Sequence, residues 1–207
     1  MQDYFGGMVR STVGRVQRQG IIKGTVEKIV AEGFPSEELV VELVLKALDA
    51  EPDDQELLTE VQKLTKQQIR QHLYIQNSWV GKTDCDKIDD AFSVLGKQGI
   101  FARQNVAVNE KSGRDEIRKL VKTEDAEPEG FVFFTAQDTE NAVEFGEIAF
   151  SFGAFNGDKE TALKVGAAVV KALCDAGLHA EWSGELYDRI QLAEIDWKKR
   201  RLDLDEN

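Results

Sequence analysis

The sequence predicts an α+β fold: a ferredoxin-like two-layer domain, one sheet with helices on one face, preceded by an N-terminal helical region. Three observations predict it. Apolar residues up to about residue 75 recur at helical spacing. From Trp79 onward, segments of helical period alternate with short segments of period two. The 207 residues are 42% hydrophobic and 31% charged, a composition that folds rather than stays disordered. The expected organisation is a helical region over 1–75, an α+β domain over 76–201 and an acidic tail over 202–207.

The elements follow in order. A weak helical stretch spans roughly 9–31, interrupted by Gly14, Gly20 and Gly24. A strongly apolar helix follows over 36–49, where Leu39, Val40, Leu43, Val44, Ala47 and Leu48 form a stripe behind an N-cap at Ser36. A third helix runs from Asp53 or Asp54 to about His72, with Leu58, Val61, Leu64, Ile69 and Leu73 inward. These apolar faces call for a partner surface, and the helix at 36–49 leaves a homodimer possible.

In the second region, Thr83-Asp84-Cys85-Asp86 opens a helix whose buried set is Ile88, Ala91, Phe92 and Leu95. Then come a strand at 100–108, a helix near 114–122, a strand at 131–135, a short helix after Asp138 and a strand at 147–155. A long helix near 159–176, ended by Gly177, and strands near 179–183 and 189–195 complete the series. Ile148, Phe150 and Phe152 alternate with Ala149, Ser151 and Gly153, which gives the sheet two unlike faces.

The totals exclude several activities. Against 26 basic residues stand 38 acidic ones, a net charge of −12, so the averaged field repels nucleic acid and anionic lipid. The basic run Lys198-Lys199-Arg200-Arg201 precedes Asp203, Asp205 and Glu206, and reads as a solvated, self-neutralising tail. No apolar run approaches the ~18 residues of a membrane span, no N-terminal signal pattern is present, and two cysteines make no disulfide framework. The expectation is a cytoplasmic protein with neither membrane nor nucleic acid among its partners.

Chemical motifs are sparse. Gly81-Lys82-Thr83 lacks the upstream glycine of a phosphate loop, because Gln76 stands there. Asp84, Asp86, Asp89 and Asp90 have Asp89 where a calcium loop needs glycine, so capping is the better reading. Cys85 sits among carboxylates that disfavour a thiolate. With Cys85, Cys174, His72 and His179 scattered, no metal site or cofactor is expected.

Strand alternation instead groups polar residues. Arg103 and Asn105 fall on one side of their strand, and Ser151, Glu181, Arg189 and Gln191 lie opposite the apolar sets of theirs. Gln137-Asp138-Thr139 begins a helix, with Asp138 or Thr139 as its cap or its backbone amides as an anion site. Arg103, Asn105, Gln137, Asp138, Glu181 and Arg189 are therefore the candidate ligand or partner surface. That polar face is open to water, covered by the N-terminal helices, or a recognition surface.

Four blocks together resemble a bacterial family of a domain of unknown function: Thr83-Asp84-Cys85-Asp86-Lys87-Ile88-Asp89, Gly99 to Asn105, Phe133 to Thr139 and Ala180 to Gly184. The resemblance covers roughly 73–201 and implies a cytoplasmic protein without supplying an activity. It implies a Cys-Cys-x-x-Cys-Gly segment in many members, where this chain has Val108-Asn109-Glu110-Lys111-Ser112-Gly113. The long helix followed by Ala180-Glu181-Trp182 is similar, at the level of fold, to acidic protein inhibitors of bacterial ribonuclease E. The expected function is a non-enzymatic, acidic interaction or regulatory module, immunity- or inhibitor-like, with a basic protein partner. The alternative is a small-ligand binder or hydrolytic enzyme using the polar sheet face.

Overall fold

The computed structural model describes residues 3–51 and 53–201, with side chains from residue 17 onward; the predicted acidic tail lies outside the described residues. Among them the chain forms seven helices and five strands in two compact units. The first holds the residues up to Ser78 together with Arg201, and the second is Trp79–Arg200.

In the first unit, α1 (Asp3–Ala31), α2 (Glu37–Ala47) and α3 (Gln55–Gln76) pack on one another. Ile22, Val26 and Val30 of α1 meet Val40 and Val44 of α2 and Leu57 and Val61 of α3 in one core. The apolar faces of the three helices thus pack on one another, although Leu39 of the expected α2 stripe stays exposed and Leu57, not the expected Leu58, is buried on α3. Ser36 caps α2 as expected, and Asp54 caps α3 by accepting from the Leu57 amide at 2.9 Å. Arg201 is buried here, donating to the carbonyls of Val30 and Pro35 while its amide bonds Gln76.

The second unit begins with α4 (Asp84–Lys97) and continues through β1 (Ile100–Arg103), α5 (Glu110–Thr123), β2 (Gly130–Phe133), α6 (Ala136–Phe145), β3 (Ile148–Ala154), α7 (Lys159–Asp175), β4 (Ala180–Glu181) and β5 (Ile190–Leu192). The sheet order is β1-β2-β3-β5-β4. β1 and β2 are parallel, with Ile100 beside Gly130, and the remaining pairs are antiparallel. The α+β class stands. The topology differs from the ferredoxin-like expectation: β1 and β2, joined by the crossover helix α5, pair directly, whereas a split βαβ unit places a strand between them.

The expectation of helices on one face is also corrected, because helices cover both. On one face Phe134 and Phe150 meet Phe92 of α4, and Phe152 meets Trp182 edge-on with ring centroids 5.2 Å apart. A Cβ added at Gly166 of α7 would lie 2.9 Å from Phe152 and 2.8 Å from Trp182, so α7 lies directly on this layer. On the other face Ile117 of α5 packs with Phe101, Phe131 and Phe133. The predicted polar face is therefore half aromatic; Ser151 and Arg189 lie under α6, while Glu181 and Gln191 stay exposed.

A further correction concerns the strand at 100–108, which stops at Arg103. Asn105 and Ala107 take left-handed backbone angles, φ 51° and 53°, and this ends the period-two alternation on which the placement of Asn105 rested. The bent segment still follows the next strand: the Val106 amide bonds Phe134 O at 2.8 Å, and the Ala136 and Gln137 amides bond Ala107 O and Val108 O.

Candidate functional site

The polar half of the sheet face centres on Asp138. Thr135, in extended conformation at the end of the aromatic strand, is the N-cap of α6, and Asp138 is its reciprocal partner in a capping box. The expected cap at Asp138 or Thr139 is thus corrected to Thr135. The amides of Ala136 and Gln137 are taken by Ala107 O and Val108 O and that of Asp138 by Thr135 Oγ1, so these first-turn donors are not presented to an anion.

Asp138 is buried, and Arg189 reaches it from the segment entering β5 with two parallel bonds, Nη1 to Oδ1 at 2.9 Å and Nη2 to Oδ2 at 2.7 Å. Nη2 also donates to Ala149 O at 2.7 Å, and Asp138 Oδ2 accepts from the Thr135 amide and hydroxyl. Such a bidentate, charge-assisted pair fixes both groups in orientation. One step along the β3–β5 register from Phe150 and Ile190, Ser151 stands opposite Arg189. Ser151 Oγ and Arg189 Nε are both buried without a hydrogen-bond partner among the described residues. Asn105 joins from the other side, its Oδ1 accepting from Thr139 Oγ1 at 2.9 Å.

The structure therefore connects Asn105, Asp138 and Arg189 and disperses the other three candidates. Gln137 is exposed and bonds Glu140. Glu181 is exposed on the short edge strand β4, with His179 Nε2 at 3.4 Å. Arg103 lies on β1, its guanidinium carbon 3.8 Å from the centroid of the Phe101 ring and its Nη2 paired with Glu124. Arg103 Nη1 donates to Ala102 O at 2.8 Å.

Beside Arg103 lies a feature that sequence reasoning missed. An open groove of about 390 Å³ runs along all of β1, walled by Gly96 and Gly99 at the end of α4 and by Glu124, Glu127 and Pro128 after α5. Only the edge position of β1, a long-range property of strand order, creates it.

The basic run is the other correction. Lys199 Nζ bonds both oxygens of Asp89, at 2.8 and 2.9 Å, and Gln104 Oε1 at 3.2 Å. Arg200 bonds Asp86, Trp79 O and Gly81 O, and Asp84 accepts from the Asp196 amide. Of the four aspartates at the start of α4, Asp86 serves the cap and Arg200, Asp89 holds Lys199, Asp84 holds Lys87 and Asp90 pairs with Lys82, and no group of residues able to hold a metal ion occurs among those described. Burial would raise the pKa of Asp84, but Lys87 and the Asp196 amide outweigh it and hold the carboxyl below its ordinary value. Asp86 is held low in the same way, burial being outweighed by the Thr83 amide and Arg200. Burial pushes the Cys85 thiol up to about 12, which removes it as a nucleophile at neutral pH.

No described helix is long and apolar enough to cross a membrane. No match was found among curated proteins, nor among solved structures. The match that does occur extends over residues 16–201 and takes in both the capped Asp138–Arg189 cluster and the strap of cations on α4, so the chain belongs to the family defined by a domain of unknown function, DUF6891.

Proposed function

We propose that this chain is a non-enzymatic, acidic protein-interaction module of the bacterial cytoplasm whose partner presents a basic surface. The observation that carries this reading is where the positive charges go. Arg103, Arg114, Arg189, Lys199 and Arg200 of the second unit are each engaged by a carboxylate of the same unit. The cations are largely spent internally in a chain of net charge −12, and the remaining field favours a positive partner. A regulatory role, inhibitor- or immunity-like, is the form of action that such a surface supports.

The test is retention on immobilised full-length protein. A stoichiometric partner of basic isoelectric point should bind at low salt and be released as salt is raised, since screening shortens the Debye length from about 10 Å at 0.1 M to about 3 Å at 1 M. Recovery of no stoichiometric basic partner overturns the reading.

A second reading, a small-ligand or hydrolytic site at Asp138 and Arg189, draws on Ser151 Oγ and Arg189 Nε, both buried without a partner among the described residues. It requires a polar compound that raises the melting temperature of the native chain and loses that effect in Ser151→Ala.

A further inference from the structure

The outer edge of the sheet at β1 has the properties of a strand-accepting surface. Among the described residues β1 pairs on one side only, with β2. Gly99 O accepts from the Glu129 amide across that pair at 3.1 Å. By strand alternation the polar groups of Phe101 then also face β2, and those of Ile100 and Ala102 face away from it. The outward side opens into the groove along Ile100–Arg103. Small residues, Gly96 and Gly99, leave room for a backbone to approach, while Glu124 and Glu127 place two carboxylates on the wall.

Arg103 guards this edge. Its Nη1 satisfies Ala102 O, the carbonyl that an added strand would use, while stacking on Phe101 and pairing with Glu124 hold it there. A charged side chain folded over a bare edge is a common protection against unwanted pairing. An arriving amide must displace Arg103 from Ala102 O, which frees Glu124 for a cation of the incoming chain.

Resting on the interaction reading above, we propose that the β1 edge binds an extended, lysine- or arginine-bearing segment of the partner protein by strand addition. The segment pairs its backbone with Ile100 and Ala102 and its cations with Glu124 and Glu127. Main-chain bonds supply the affinity in this mode and the flanking carboxylates supply the choice of partner.

The probe is the peptide acetyl-Val-Lys-Val-Lys-Val-Lys-Val-amide, titrated by fluorescence anisotropy into the full-length protein at low salt. Its glutamate analogue and a version N-methylated at alternate amides serve as controls. The lysine peptide should bind, the two controls should bind at least about tenfold more weakly, and E124K/E127K should weaken the lysine peptide by a similar factor. Arg103→Ala should strengthen binding about three- to tenfold, because it removes both the competing donor and a repelling cation. Absence of binding by the lysine peptide, equal binding of either control, or indifference to E124K/E127K overturns the proposal. So does a concentration-dependent dimer that excludes the peptide, which would make the occupant a second copy of the chain. If E124K/E127K still retains the basic partner on the immobilised protein, the β1 assignment fails while the general interaction reading survives.

Discussion

Ser151 buries its hydroxyl opposite Arg189, and Oγ has no hydrogen-bond partner among the described residues. A buried polar group left without a partner costs about 1–3 kcal/mol. Ser151→Ala removes the group and barely changes the volume, so its chemical-denaturation midpoint should stay level or rise. A clear loss of stability would mean that Oγ does hold a partner, such as an internal water shared with Arg189 Nε. The neighbouring Asp138–Arg189 pair behaves in the opposite way. Asp138→Ala leaves a partly buried guanidinium unpaired and opens the α6 capping box, and should cost about 3–5 kcal/mol. Replacing both residues, as D138A/R189M, should cost less than the two single changes added together, because no unpaired charge is left behind. Additive losses in urea unfolding would show that the pair is not coupled.

At the scale of elements, helix α5 is docked through Gly113. A Cβ built there falls inside contact distance of the Phe133 ring, which is fully buried. Two effects compete in Gly113→Ala. Alanine favours the helix by about 1 kcal/mol, while overpacking a buried ring costs about 1–3 kcal/mol. The ring has nowhere to go, so the net expectation is a destabilisation of up to about 2 kcal/mol, read from the thermal midpoint; a stabilised variant would mean that α5 lifts away from the sheet freely. The helix itself was legible in the sequence, but its place was not. The alternation of Ile148, Phe150 and Phe152 with Ala149, Ser151 and Gly153 separated the two faces of β3 correctly, because a strand's period is a local property. Strand order and helix side depend on crossovers and are not local. Phe101, Phe131 and Phe133 therefore brought an aromatic core to the face that the other strands marked as polar. Asn105 leaves the strand alternation because asparagine tolerates the left-handed region, and no local sequence feature marks the turn. Asp138 and Arg189 were visible as candidates, while their union across 51 positions was not.

For the molecule as a whole, the charges that look self-neutralising in sequence act at long range. Lys199 and Arg200 precede Asp203, Asp205 and Glu206 in the sequence, yet they pair with Asp89 and Asp86, more than a hundred positions upstream. The last segment of the second unit is thereby strapped to its first helix, and the strap depends on carboxylates being charged. Asp84 and Asp86 both have pKa values held below the ordinary carboxylate value by their partners. A lowered folded-state pKa means that the native state binds protons less readily than the unfolded state. The stabilisation is therefore fully present above the unfolded value of about 3.9 and is lost as pH falls through the lower folded values. All three tryptophans, Trp79, Trp182 and Trp197, lie in the second unit, so their fluorescence reports its unfolding alone. Urea midpoints from that signal should hold steady from neutral pH down to about 5 and then fall steeply toward pH 2. Asp86→Asn should start lower at neutral pH, having lost the charge opposite Arg200, and should show a shallower acid decline, since one titrating group is gone. An acid slope identical to that of the native chain would mean that Arg200 and Asp86 contribute nothing to closing the unit.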